Sequence, residues 1–410
     1  MNEPWRSEDW WVSPYNYLPD VRQMMPDLPT RVRFHDCTLR DGEQTPGIVF
    51  RKEEKLEIAM MLDEAGVDRI EVAMPAVSRE DVDAVKAVVA ARPKAEVYVL
   101  SRVSESDIDL ATDCGVDGIV LEMPVGKPRL DYQFKNWSKE DVIEKTLRCI
   151  TYARRKKLRI VVFPMDCSRA EPGFFDRFLE AVAKHDRPDS VVLVDTTGCL
   201  TPQATMYLVS QIKDITRTTV EVHTHSDFGL AVAISASAVA AGAEVVHASV
   251  AGLGERTGNT PLEEAAVALR CLYGLEMGID FSRLTSLGRR VAEIARVRLA
   301  VSKPVIGDRA FTRESGMGLD LIKTMPMVLF ALNPRFVGQE SSFVLGKKSG
   351  LASVEMKAEE LGLPALSDDQ KRAVLAQVKR TGIEKKALLE DEEFRSIVAQ
   401  VCSERPRIEG

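Results

Sequence analysis

The feature that most constrains the fold is a regular alternation of short β-type runs and longer amphipathic segments between residues 31 and 275. The short runs are continuously apolar, which is typical of parallel strands buried on both faces. Eight strand–helix units within about 240 residues predict a closed (β/α)8 TIM barrel. The predicted strands are Val32–Asp36, Arg69–Ala73, Ala95–Leu100, Gly118–Glu122, Arg159–Pro164, Ser190–Asp195, Thr219–His225 and Glu244–Val250.

A doubly wound open sheet is the alternative, but no GxGxxG motif follows the first strand. Before the barrel, residues 1–30 carry three of the four tryptophans and form an expected N-terminal arm, packed on the body or on a second subunit. In residues 276–410 the alternation of strand and helix patterns stops, and we expect a linker followed by helical subdomains. The predicted division is therefore an arm, a catalytic barrel at 31–275 and a mostly helical C-terminal region.

Composition excludes several classes of function. The net charge of −7 provides no field that would attract nucleic acid or an anionic membrane. No apolar run approaches the about 20 residues of a membrane span, and Met1–Trp5 does not resemble the start of a signal peptide. The seven cysteines form no CxxC pair, which fits a protein of the reducing cytoplasm.

Chemistry in such a barrel lies at the C-terminal ends of the strands. His223 and His225 are two residues apart on the seventh strand, so both imidazoles point to one side. With Asp41 from the first strand end they would form a two-histidine, one-carboxylate site for a divalent metal. The alternatives are a pair of satisfied polar histidines and, for Arg40 and Asp41, a salt bridge in a surface turn.

An arginine beside a metal is suited to a developing anion, so Arg40 is a candidate to stabilise an enolate or oxyanion of a 2-oxo acid. The glycine-rich loop at residues 252–258 has two interpretations. It is either a phosphate cradle or a tight loop that lets Asn259 reach inward.

Five ordered motifs are found along the chain, at Asp36–Gln44, Asp195–Gly198, His223–Ala231, Gly252–Asn259 and Val344–Gly350. They resemble the signatures of 2-isopropylmalate, homocitrate and citramalate synthases, within the metal-dependent TIM-barrel group related to HMG-CoA lyase. The resemblance extends over residues 31–360.

The resemblance implies a specific set of site residues. A divalent Mg, Mn or Zn ion would be held by Asp41, His223, His225 and Asn259. Arg40 would stabilise the enolate or alkoxide and Glu71 would orient it. Contacts with the anionic 2-oxo acid are expected from Gln44, Thr196, Arg102, Arg169 and Arg313.

The family reaction is a Claisen-type condensation in which the methyl carbanion of acetyl-CoA attacks the 2-oxo acid and the thioester is then hydrolysed. Related lyases carry a cysteine where this chain has Glu255, which favours the synthase branch. The resemblance also implies a homodimer in which the C-terminal region of one chain reaches the partner's barrel. We expect no further effector domain after this region, and therefore no leucine-type feedback.

Some positions depart from the family pattern. Ser226 replaces an asparagine and Met165 replaces a glutamate, and histidines are expected at Arg313 and Gly318. An arginine, with a pKa above about 12, cannot take the acetyl-CoA proton near neutral pH. Glu314 is then the nearest candidate base. The alternative is a carbon–carbon lyase or aldolase acting on a metal-bound 2-hydroxy or 2-oxo acid, and a third hypothesis is a non-catalytic binding protein.

Overall fold

A computed structural model describes residues 3–403, which form two compact units. The first unit comprises residues 3–5 and 13–299, and the second comprises residues 6–12 and 300–403. The three-part division expected from the sequence stays a prediction.

The first unit is built on eight parallel strands that close into a barrel, which confirms the predicted TIM-barrel fold. Each strand pairs with the next along the chain, and the last pairs with the first. The strands are β1 (Arg33–Asp36), β2 (Arg69–Glu71), β3 (Glu96–Arg102), β4 (Gly118–Pro124), β5 (Arg159–Met165), β6 (Ser190–Asp195), β7 (Thr219–Thr224) and β8 (Val245–Ala248).

Helices connect the strands, because parallel neighbours need a long crossover connection. The helices of this unit are α1 (Pro19–Gln23), α2 (Lys52–Glu64), α3 (Arg79–Ala91), α4 (Glu105–Cys114), α5 (Lys139–Arg155), α6 (Pro172–Lys184), α7 (Pro202–Thr216), α8 (Ala231–Ala240), α9 (Leu262–Cys271) and α10 (Leu284–Ile294). In α6 the buried side chains follow helical spacing and form one apolar stripe. These are Phe174, Phe175, Phe178, Leu179 and Val182.

The strand register decides which side chains enter the barrel. His35 on β1 lies opposite both Arg69 on β2 and His247 on β8. Side chains alternate along a strand, so Glu221 and His223 on β7 point to the same side. A layer of buried polar residues therefore lies inside an otherwise apolar barrel.

The second unit is mostly helical, as predicted, and contains a two-stranded parallel sheet of β9 (Thr312–Arg313) and β10 (Ser342–Phe343). Within this unit Trp10 packs against Phe336, so part of the tryptophan-rich segment packs on other residues of the unit. Its helices are α11 (Leu321–Thr324), α12 (Leu351–Glu360), α13 (Asp368–Lys385) and α14 (Asp391–Ser403). Within residues 3–403, no helix combines the length and apolar character that a membrane crossing requires.

Candidate active site

The turn after β1 presents Arg40 and Asp41 at the C-terminal end of the barrel. Asp36 accepts hydrogen bonds from the main-chain nitrogen and the hydroxyl of Thr38, at 2.9 and 3.0 Å. The main-chain nitrogens of Arg40 and Asp41 then donate to the carbonyl oxygen of Cys37 at 3.2 and 2.8 Å. The backbone is therefore fixed before either charged side chain meets a ligand.

The predicted metal ligands Asp41, His223 and His225 converge on one point. Asp41 Oδ2 lies 3.4 Å from His223 Nε2 and 3.9 Å from His225 Nε2, and the two imidazole nitrogens are 3.4 Å apart. All three side chains are buried. A two-histidine, one-carboxylate set is typical of sites for divalent transition metals.

Asn259 follows the glycine-rich loop and pairs with His225 through an antiparallel β-bridge. Its Nδ2 donates to the carbonyl oxygen of Leu253 at 2.9 Å, which fixes the amide plane. Its Oδ1 is buried without a partner among the described residues, as is Oδ1 of Asp41. Buried oxygens without donors are costly unless a cation or water satisfies them, so this set fits a divalent ion.

The electrostatic environment keeps these ligands in their metal-binding protonation states. Burial alone raises the pKa of Asp41, but the Arg40 guanidinium and His223 together hold it well below its usual range. Burial lowers the pKa of His223, and it lowers the pKa of His225 to about 4. At neutral pH the carboxylate is therefore ionised and both imidazoles are neutral, as metal ligation requires.

Arg40 is buried and held on two sides. Its Nε and Nη2 donate to Glu71 at 2.8 and 3.2 Å, and its Nη1 donates to Asp41 at 3.0 Å and to Gln44 at 3.4 Å. Burial raises the pKa of Glu71, but Arg40 and His35 lower it to about 2. The structure thus brings the predicted residues Arg40, Glu71 and Gln44 into contact.

Thr196, at the end of β6, is buried beside the glycine-rich loop. Its Oγ1 accepts from the main-chain nitrogen of Asp166 at 2.9 Å. Arg256 in the loop donates to the carbonyl oxygen of Thr196 at 2.6 Å and pairs with Asp227. The loop therefore contacts the strand end that carries Thr196, and no phosphate-binding role is needed to explain its shape.

The remaining predicted arginines of the barrel have carboxylate partners of their own. Arg169 forms two hydrogen bonds of 2.8 Å with Asp166. Arg102 binds Asp107 at the start of α4 through bonds of 2.7 and 3.0 Å, and 58% of its side chain is exposed. A substrate carboxylate at either arginine would have to share or displace this partner.

The structure places Arg313 and Glu314 in the second unit, at β9 and directly after it. Glu314 Oε1 accepts from the main-chain nitrogen of Lys348 at 2.8 Å, within the matched motif at residues 344–350. Glu314 is therefore anchored to the segment that the sequence motif identified.

Sequence reasoning missed a group of polar side chains deeper in the barrel. His35, Glu221 and His247 are fully buried, and their ligand-type atoms lie within 4.8 Å of one another. Arg69 Nη1 donates to Glu221 Oε1 at 2.6 Å. Their inward direction follows from the alternation along β1, β7 and β8, which is the signal that could have identified them.

Glu122 on β4 lies beside the site. In the register it is opposite Arg102 and Phe163, and the Phe163 ring contacts that of His223 with centroids 5.0 Å apart. Burial and the nearby carboxylates Glu71 and Asp41 raise the pKa of Glu122 against the opposing effect of Arg40. Glu122 therefore lies within electrostatic reach of Arg40, Glu71 and Asp41.

Comparison with known proteins identifies the family. A family model described as HMGL-like matches residues 31–291. The chain belongs to the HMGL-like family. A second model, described as the homocitrate synthase post-HMGL domain-like family, matches residues 305–386 of this HMGL-like protein. The family expected from the sequence motifs is thereby confirmed.

Curated relatives match nearly the whole chain. The homocitrate synthase AksA of Methanopyrus kandleri is 36% identical over 385 residues, covering 94% of this chain and 96% of the relative. The 2-isopropylmalate synthase of Methanocaldococcus jannaschii is 35% identical, covering 92% of this chain and 72% of the relative. These relatives are acyltransferase-type synthases, as the motif comparison predicts.

Solved structures confirm the fold alone. The HMG-CoA lyase of Bacillus subtilis superposes with a TM-score of 0.60 and covers 66% of this chain and 96% of its own, at 18% identity. The HMG-CoA lyase of Brucella melitensis has a TM-score of 0.58 at 21% identity and covers 65% of this chain and 100% of its own.

Proposed function

We propose that this chain is an acyltransferase that condenses acetyl-CoA with a 2-oxo acid, giving a 2-alkylmalate-like or homocitrate-like acid. The observation that carries the proposal is the convergence of Asp41, His223 and His225 beside an arginine bound to Glu71. The synthase relatives over nearly the full length support the same reaction.

The metal ligands are Asp41, His223, His225 and Asn259. Their free oxygens and neutral imidazole nitrogens provide the mixed oxygen and nitrogen set that Mn²⁺, Zn²⁺ or Mg²⁺ accepts. A divalent ion bound there would polarise the 2-oxo acid as a Lewis acid.

Arg40 stabilises the negative charge that develops on oxygen during carbon–carbon bond formation. Four of its five N–H groups are assigned to Glu71, Asp41 and Gln44, and one hydrogen of Nη2 has no partner among the described residues. A fixed donor aimed at a developing oxyanion is among the strongest electrostatic contributions to catalysis. Glu71 holds the guanidinium plane so that little reorganisation is needed.

Thr196 and Gln44 position the 2-oxo acid. Thr196 Oγ1 accepts from Asp166, which leaves its hydroxyl hydrogen to donate to the substrate carboxylate. Gln44 accepts from Arg40 through Oε1, so its amide nitrogen can also donate to the substrate. Arg102, Arg169 and Arg313 are proposed as further contacts for anionic groups of the substrates.

Deprotonation of the acetyl-CoA methyl group is assigned to Glu314. An arginine side chain has no acceptor for a proton, so Arg313 is not assigned as the base. The Glu314 carboxylate accepts one main-chain hydrogen bond, from Lys348, and retains acceptor capacity for a proton. The active form is proposed to be a homodimer with its site completed by the partner's C-terminal region, and a cytoplasmic location stays a prediction.

The direct test is release of free CoA thiol from acetyl-CoA with a panel of 2-oxo acids and Mg²⁺, Mn²⁺ or Zn²⁺. We expect metal-dependent thiol release with at least one acceptor and a product of matching mass. Arg40→Ala should abolish this release while leaving bound metal in place. No thiol release with any acceptor and metal would contradict the proposal.

A second candidate is a carbon–carbon lyase or aldolase of the same fold. One observation favours it, namely that the position expected to hold a basic histidine is Arg313. This enzyme would release a 2-oxo acid from a hydroxy acid without acetyl-CoA. Metal-dependent appearance of pyruvate or another 2-oxo acid, with no thiol release in the first assay, would favour this candidate.

A further inference from the structure

A second group of titratable side chains lies one inward position deeper in the barrel than the candidate metal ligands. It consists of His35, Glu221 and His247 and is fully buried. His247 Nε2 lies 2.7 Å from Glu221 Oε2, and Arg69 Nη1 donates to the other oxygen of Glu221 at 2.6 Å. These residue types also occur in metal sites, so a bound metal ion is the alternative interpretation of this group.

Charge and ring geometry both oppose a metal at this second group. Arg69 already neutralises Glu221, whereas Arg40 is shared between Glu71 and Asp41 and leaves net negative charge at the first site. The rings of His35 and His247 are stacked 4.2 Å apart at 8°. Imidazole lone pairs lie in the ring plane, so two parallel stacked rings cannot direct both lone pairs at one ion.

The hydrogen bonds of His35 lead instead toward Arg40. His35 Nε2 lies 3.3 Å from Glu71 Oε2, the same oxygen that accepts from Arg40 Nη2 at 3.2 Å. An ionised carboxylate only accepts hydrogen bonds, so Nε2 of His35 carries the hydrogen and donates it. Nδ1 of His35 has no partner among the described residues, which leaves Glu71 as the polar contact of this ring.

The position of the His35 ring is set by two aromatic neighbours. It stacks on His247, which is itself fixed by Glu221 and Arg69, and its edge meets the Tyr98 ring at a centroid distance of 5.5 Å. A stacked, fully buried ring cannot rotate without opening the barrel interior. The donor to Glu71 is therefore held in one place.

We propose that His35 is a positioning residue for Arg40 and acts through Glu71. By donating to Oε2, His35 keeps the carboxylate in the rotamer that holds Nε and Nη2 of Arg40 together. This inference rests on the proposed function, in which Arg40 stabilises the developing oxyanion. His35 acts on Glu71 and is not one of the proposed metal or substrate ligands, so its loss should lower turnover and leave ligand affinity unchanged.

The test compares two substitutions that separate ring stacking from hydrogen bonding. His35→Phe keeps an aromatic ring against His247 but removes the donor, whereas His35→Gln keeps a donor and loses the stack. We expect His35→Phe to lower kcat about 10-fold with KM for the 2-oxo acid within about twofold, and His35→Gln to recover most of kcat. Tyr98→Phe, which keeps the ring packed on His35, is the matched control and should leave kcat unchanged.

A double-mutant cycle separates action through Glu71 from a general packing defect. In a Glu71→Gln background, His35→Phe should cause little further loss of kcat, since the interaction it removes is already broken. If the fold-losses of kcat caused by the two single substitutions multiply in the double variant, the proposal is wrong. Equal losses for His35→Phe and Tyr98→Phe would overturn it as well.

Two measurements stand apart from turnover. In ¹⁵N-histidine-labelled protein, the Nε2 proton of His35 should be observed and should shift in Glu71→Gln but not in Tyr98→Phe. An unchanged signal in Glu71→Gln would overturn the proposed role of His35. This measurement does not depend on turnover, so it is separate from thiol release, which tests the proposed function. Metal titration should give one ion per chain. A second bound ion that is lost in His35→Phe would show that the deeper group binds metal and would overturn the proposal.

Discussion

Arg40 contacts Glu71 through two hydrogen bonds, from Nε at 2.8 Å and from Nη2 at 3.2 Å, and both side chains are buried. Glu71→Gln removes the negative charge and leaves the guanidinium partly uncompensated. We expect kcat to fall about 100-fold and the free energy of unfolding to fall by about 3 kcal/mol. The measurements are thiol release and urea denaturation. Glu57→Gln, at the exposed pair with Arg290, is the control and should cost less than about 1 kcal/mol.

Removal of one predicted metal ligand should remove the metal. His223→Ala is expected to lower bound metal to background in elemental analysis, because the remaining ligands cannot close the coordination sphere. Metal added to wild-type protein at 100 times its Kd should stabilise the fold by about 2.7 kcal/mol, and this gain should vanish in the variant. His185→Ala, an exposed histidine on the outer surface, should retain full metal content. An unchanged metal content in His223→Ala would show that His223 is not a metal ligand.

The glycine-rich loop offers a pair of matched backbone substitutions. Gly258 and Gly229 both have positive φ, at 85° and 73°. A Cβ at Gly258 would overlap the carbonyl oxygen of Gly252, whereas a Cβ at Gly229 meets no atom within 4 Å. We expect Gly229→Ala to cost about 1–2 kcal/mol of local strain and to keep metal affinity. Gly258→Ala should displace Asn259 and weaken metal affinity at least about 10-fold, measured by competition with a chelating dye.

Asp36 gives the fold a specific dependence on pH. Burial raises its pKa from 3.8 to about 7, although Thr38 donates two hydrogen bonds to the carboxylate. The folded state therefore holds this proton more tightly than the unfolded state. Its contribution to the free energy of unfolding is fully present below pH 4 and is lost as pH rises through 7. The shift corresponds to at most about 4 kcal/mol. Denaturation of wild type and Asp36→Asn between pH 5 and 8 should show a stability difference that grows with pH in favour of the variant.

Arg313 marks the largest departure from the family pattern. Arg313→His would restore a titratable group where an arginine cannot accept a proton. We expect the variant to change the ranking of 2-oxo acids by kcat/KM and to speed exchange of the acetyl-CoA methyl protons with D₂O. The exchange is followed by NMR in the absence of acceptor. Identical kinetics with every acceptor would show that this position does not affect the reaction.

Much of the fold and the grouping of the candidate metal ligands could be predicted from the sequence because both depend on local patterns. Continuous apolar strands separated by amphipathic segments define the barrel. His223 and His225 share a face because they are two residues apart on one strand. Asp41 and Asn259 follow strand ends, where motif comparison is most specific.

Other features depend on relations that no local pattern contains. His35, Glu221 and His247 lie on three different strands, and their contact depends on the closure of β1 against β8. The sequence pattern of helix α4 is also a weak signal for a helix, because its buried face includes the carboxylate of Asp107, which binds Arg102. Its buried apolar side chains are Ile108, Ala111 and Cys114, which make only a short apolar stripe.

The pairing of the first strand with the last has a consequence for how the protein acquires activity. Asp41 follows β1, the two histidines belong to the β7 end and Asn259 follows β8, so the proposed metal ligands are not brought together in any partial barrel. Such long-range closure is slow compared with the formation of each helix–strand unit. During refolding, metal uptake should therefore lag behind the gain of helical signal, and a bound ion marks a chain whose barrel has closed.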